Sequence, residues 1–221
     1  MNVRETGAKQ QGGTIINMDK ITGLWGVVLD LGVGLGALVG VASLIPGLRR
    51  VIKRKTADGV SVALCGMGLV SYFTWLALAK THDYYMILII ITSSSLYLIQ
   101  YYYVCKWTKT PIITRILWVV IAMVFGVGAF IYPWLGLMVV IFVDFLWYFK
   151  AIKDIKNSVK AEAVSYIGQA IVIIPNLSWV ISSLWAKNYK LAAHTGALAI
   201  MAAILSVYTY KVQKTREVLV K

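Results

Sequence analysis

Asp30 and Asp144 are carboxylates set about ten residues inside apolar stretches, with no lysine or arginine within one helical turn. A charge in hydrocarbon is costly and persists where it faces a bundle interior or a wet cavity. Burial disfavours the ionised form of a carboxylic acid, so either residue is placed to take up and release a proton. The plainer role for each is a helix-to-helix hydrogen bond. Trp75 and Trp179 make a second pair. Each follows a serine, Ser61 or Ser165, by fourteen residues, and Ala57-Asp58-Gly59-Val60-Ser61 returns 104 positions later as Ala161-Glu162-Ala163-Val164-Ser165. An indole lays its face on the apolar side of a solute and donates its N–H to a hydroxyl; the plainer alternative is a place in the interfacial aromatic belt. Asn176 follows Pro175 inside another apolar stretch. A proline there removes a backbone hydrogen bond and kinks the helix, and the neighbouring amide can satisfy the freed carbonyl or reach a cavity. Gly32, Gly36 and Gly40 recur every four residues, a stripe that permits close helix contact. The chain shows no nucleophile beside a base, no hydrolase-type carboxylate pair and no metal-type spacing around Cys65 and Cys105. Catalytic residues, metal and cofactor are therefore not expected, and the chain is not read as an enzyme.

The elements that would hold these groups follow from composition. Of 221 residues, 59% are hydrophobic and 14% charged, with a mean hydropathy of +0.75, against about 25% charged in soluble domains. This is the composition of an integral membrane protein. A crossing needs about 20 mostly apolar residues to span about 30 Å of hydrocarbon. Seven stretches qualify: 21–45, 60–79, 84–105, 115–132, 134–149, 163–186 and 190–210. Residues 1–19 are polar and rich in Gly and Gln, read as a disordered tail, and either Met1 or Met18 can serve as the start. The formal charge of +13 is spread between the apolar runs rather than gathered in blocks with aromatics, which argues against a nucleic-acid partner. Sixteen of the 22 lysines and arginines fall on one side of a seven-crossing chain and six on the other. The positive-inside bias puts the amino terminus outside and the carboxyl terminus in the cytoplasm. Crossings one to three and five to seven then run parallel as two units, and the fourth is the inversion linker between them.

Pro46 is followed by a run of five basic residues, Arg49 to Lys55, then Thr56 and Ser61. This resembles the signature of the PQ-loop membrane transporters, which include the SWEET sugar carriers and cystinosin-like amino-acid exporters. Gly47 stands where the family has Gln, and Lys150-Ala151 where the second copy would have Pro-Gln. The resemblance covers roughly residues 21–210. It implies an all-α membrane fold of seven transmembrane helices, with two parallel three-helix repeats joined by a linker helix. The divisions would be a tail at 1–19, a first repeat at 20–110, the linker at 111–133, a second repeat at 134–211 and a cytoplasmic tail at 212–221. It further implies that Trp75 and Trp179 sandwich the solute. Ser94 and His194-Thr195 fall where SWEET carriers have the two asparagines that hold sugar hydroxyls, and Pro46 would act as a hinge together with the kink at Pro175.

The implied function is alternating-access transport of a small polar solute, most readily a sugar. Two alternatives stay open: proton-coupled export of an amino acid through Asp30 or Asp144, and a non-transporting receptor on the same scaffold. The expected partners are the solute and the lipid bilayer, with a homo-oligomer left open.

Overall fold

The computed structural model describes residues 24–78, 84–185 and 187–219, with side chains from 32 onward except 33, 84–87 and 217–219. Seven helices are described: α1 (Leu24–Arg54), α2 (Val62–Leu78), α3 (Tyr84–Trp107), α4 (Ile112–Ile131), α5 (Pro133–Asn157), α6 (Tyr166–Trp185) and α7 (Tyr189–Leu219). All but α2 are long and apolar enough to cross a membrane, and α2 is an apolar helix of 17 residues. Large apolar side chains such as Ile113, Val124, Trp134 and Phe142 stand exposed on the outer faces, where only lipid would shelter them. The chain is a multi-pass integral membrane protein. The expected tail at 1–19 lies outside the described residues.

Helix ends differ from the apolar stretches in an instructive way. α1 runs nine residues past Ile45, through Pro46 and the basic run, and α5 and α7 likewise extend through Lys150–Lys156 and Lys211–Arg216. Hydropathy ends where hydrocarbon ends, but Lys and Arg are good helix formers that snorkel into the headgroups, so the backbone continues. Pro46, expected at the end of the first helix, therefore sits inside it. α2 and α6 begin later than their apolar runs because a serine caps each. Ser61 Oγ accepts from Leu64 N at 3.1 Å, and Ser165 Oγ accepts from Gly168 N at 3.1 Å. These are N-cap bonds to the third helical residue, and the two serines are the pair separated by 104 positions. The turns before them match as well, with Val60 N bonded to Ala57 O at 2.8 Å and Val164 N to Ala161 O at 3.2 Å.

The helices close into a ring. α1 packs on α3 and α6, α3 on α2, α2 on α5, α5 on α7 and α7 on α6, while α4 packs on α2 and α5. The α1–α6 seam is made of small residues. A Cβ built on Gly36 would lie 2.9 Å from Ser178 Cβ, one on Gly40 would lie 3.7 Å from the Pro175 ring, and one on Gly168 would lie 2.6 Å from Ser43 O. The glycine stripe and the proline thus meet each other across this antiparallel contact.

Where α1, α5 and α7 end, the two capped turns interlock. The Asp58 carboxylate accepts from Val159 N at 2.8 Å and Lys160 N at 2.7 Å, and Asp58 O accepts from Ala163 N at 3.1 Å. In return Glu162 faces Arg54 at 3.6 Å. Arg50 donates to Val164 O, Gln213 donates to Ala161 O and Val164 O, and Arg216 donates to Ser158 O. Gly59 has φ of +86°, and a Cβ there would come within 3.0 Å of Ala161 Cα, so only glycine serves. Asp58→Ala is expected to lower stability by about 1–2 kcal/mol, because two backbone donors lose a charged acceptor. Glu162→Gln is expected to cost under about 0.5 kcal/mol, since that pair is half exposed. Thermal unfolding of the two variants in the same detergent separates them.

Candidate solute cavity

Inside the ring lies a cavity of about 260 Å³. Residues from α1, α2, α3, α5, α6 and α7 line it, and none from α4 does. Its floor is the interlocked pair of turns, through Gly59, Val60, Ala163, Val164 and Ser165. The lining residues farthest from that floor on α2, α5 and α6 are Trp75, Asp144 and Asn176.

Asp144 is the centre of the polar chemistry. Ser71 on α2 donates its hydroxyl to Asp144 Oδ1 at 2.7 Å, and His194 on α7 stands with Nε2 3.7 Å from Oδ2. The imidazole is buried, and neither ring nitrogen has a hydrogen-bond partner among the described residues. Its ring meets Phe145 edge-on, with centroids 6.0 Å apart. A serine, a carboxylate and an imidazole from three helices therefore share one point beside the cavity.

Aromatic rings form much of the remaining wall. Tyr72 and Tyr97 meet at a centroid distance of 5.0 Å, and Trp147 donates its indole N–H to Tyr97 Oη at 2.8 Å. Tyr148 packs edge-on against Trp147, and Trp75 completes the set. Tyr97 is held in place from the other side by Gly68, where a Cβ would fall 2.1 Å from its ring. Gly66 plays the same part toward α4, with a built Cβ 2.1 Å from the Trp118 ring.

The expected site residues separate into two groups. Trp75, Asp144 and Asn176 line the cavity, together with Gln100 and Gln169. Asn176 donates to Val172 O at 2.9 Å, its own fourth-preceding carbonyl, rather than to the Ile171 carbonyl that Pro175 leaves without a backbone donor. Trp179 is half-buried on α6 and is not among the lining residues; it stands about one turn beyond Asn176, the lining residue of α6 farthest from the floor. Ser94 and Thr195 are buried but bond their own helices, at Ile90 O (2.7 Å) and Leu191 O (2.9 Å), as hydroxyls in membrane helices often do. His194 lies behind Asp144 rather than on the cavity wall. Asp30 is on α1, but its side chain lies outside the described residues.

The residues not anticipated are Ser71, Tyr72, Tyr97, Trp147 and Tyr148. A signal was present. Asp144, Trp147, Tyr148, Ala151 and Ile155 follow the i, i+3, i+4, i+7, i+11 spacing of one helical face, and Ser71 and Trp75 are four apart. No protein-family model matches the chain, and no curated protein matches it in sequence.

Proposed function

We propose that this chain is a carrier for a small polar solute, built as two three-helix units joined by α4 in the manner of the PQ-loop transporters and working by alternating access. The cavity carries this reading: six helices wall it and α4 alone stays outside. The packing order supports it. Replacing α1, α2 and α3 by α5, α6 and α7, and the reverse, turns the ring of contacts into itself, with α1–α6 becoming α5–α2. The matched caps at Ser61 and Ser165 support the same pairing. The orientation proposed from charge puts the interlocked turns in the cytoplasm, and the hydrogen bonds from Arg50, Gln213 and Arg216 gather the basic ends of α1, α5 and α7 at that one face. Tags on the two chain ends should be reached from opposite sides of the membrane; reaching both from one side would overturn the two-unit arrangement.

A sugar is the first solute to test, with Trp75 on the wall to stack against it and Asn176 and Gln169 to bond hydroxyls. The cavity volume lies just below the roughly 300–1,000 Å³ of drug-sized sites, which favours a solute of monosaccharide size. In proteoliposomes, Trp75→Ala is expected to cut solute flux by about tenfold, equivalent to ~1.4 kcal/mol of lost binding. Trp179→Ala should stay within about twofold of the parent. Equal losses in the two variants would return Trp179 to the pocket, and absence of any flux would favour a receptor on this scaffold. The Asp144–His194 pair favours a second reading, proton-coupled export, because a carboxylate on the cavity wall has a buried imidazole 3.7 Å behind it.

A further inference from the structure

The cavity carries a charge, and its lining says what can answer it. Among the described residues, Asp144 is the one acidic residue on the wall, and no lysine, arginine or histidine lines it. Ser71 supplies a hydrogen bond, but a hydroxyl does not neutralise a carboxylate, and His194, an ion-pair partner at 3.7 Å only when protonated, stands behind Asp144 and off the wall. The basic residues nearest the floor have other partners: Arg50 is held by Val164 O and Gln213, and Lys150 pairs with Asp154. Five aromatic residues, Tyr72, Trp75, Tyr97, Trp147 and Tyr148, share the wall with the carboxylate. Ring faces carry partial negative charge and attract cations, more strongly away from water.

Taking the cavity as the carrier's solute site, we propose that the solute is a small organic cation, an amine or quaternary ammonium without a carboxylate of its own. Its charge pairs with Asp144, and its alkyl groups pack on the aromatic wall. A sugar offers hydroxyls to the carboxylate but leaves the site's charge unmatched. An amino acid brings a carboxylate for which the described lining has amides and hydroxyls but no positive side chain, and the N-termini of α2 and α6 at the floor carry their own serine caps. A buried charge is retained where a partner of opposite sign meets it.

The test uses the full chain in nanodiscs and four probes: choline, its uncharged isostere 3,3-dimethylbutan-1-ol, its zwitterionic relative glycine betaine, and glucose. Tryptophan fluorescence and calorimetry should show choline binding at least about tenfold tighter than each of the other three, the scale of a desolvated cation–aromatic contact with its counter-charge. Asp144→Asn should erase that preference. Because the comparison among probes is made on the unaltered chain, it stands even where the variant does not fold. Equal binding of choline and its uncharged isostere, or tighter binding of betaine or glucose, overturns the cation assignment. Proteoliposome flux separates this from the carrier reading. Choline that binds without crossing removes the carrier and leaves the cation site, whereas glucose that crosses while choline fails to bind does the reverse.

Discussion

Asp144→Asn is expected to abolish the part of solute flux that a pH gradient drives. On the proton-coupled reading, the unaltered protein in liposomes moves solute about tenfold faster with a pH difference across the membrane than without one. The amide cannot exchange a proton, so in the variant the two rates become equal. The substitution keeps shape and hydrogen-bonding capacity, and Ser71 can still donate to the remaining carbonyl oxygen, so the α2–α5 contact is retained. His194→Gln gives the complementary result. It removes the buried imidazole 3.7 Å away and leaves the Asp144 carboxylate in place, so the gradient-driven part of the flux survives. A flux that ignores the gradient in the unaltered protein removes proton coupling and leaves simple facilitated transport. A gradient response that persists in Asp144→Asn moves the proton to another group.

Gly68→Ala is expected to destabilise the fold by about 3 kcal/mol, the upper part of the range for overpacking a filled core. The added methyl would sit 2.1 Å from one carbon of the Tyr97 ring, 2.3 Å from the next and 2.5 Å from its hydroxyl. The ring is buried, tilted against Tyr72 and fixed at its hydroxyl by the Trp147 N–H, so it has no free direction in which to yield. Either α2 and α3 separate or the Trp147–Tyr97 bond breaks, and both outcomes deform the cavity wall. Gly32→Ala is the control on the same chemistry, since a Cβ there has nothing within 4 Å among the described residues. It should leave the unfolding temperature where it was or raise it slightly, as an alanine-for-glycine change in a helix does. Thermal unfolding monitored by tryptophan fluorescence measures both.

Hydropathy and the spacing of basic residues are enough to find all seven helices, because apolar length is what the bilayer reads. They do not find the helix ends, since lysines and arginines that close a hydrophobic run do not close a helix, and Pro46 shows how far the two can differ. The repeated serine was legible as a helix start, because an N-cap is a local device written in adjacent residues. The site was legible only in part. Asp144 is conspicuous as a lone acid in an apolar run, but its companions Ser71 and His194 are 73 and 50 positions away on other helices, and no local pattern links them. Trp179 shows the reverse limit. Equal spacing from equal caps gives it the helical phase of Trp75, yet the lining on α6 ends at Asn176, about one turn short of Trp179.

The crossed ties between the two turns bear on how the molecule would move. Asp58 holds the backbone ahead of the other turn's repeat, and Glu162 reaches back to Arg54, so each turn grips the other. The two hooks are unequal: Asp58 takes three backbone N–H groups of the other turn, while Glu162 meets only the half-exposed Arg54 side chain. Parting at this end is therefore governed by the Asp58 side of the clasp, where one residue's release frees the backbone of the opposite turn.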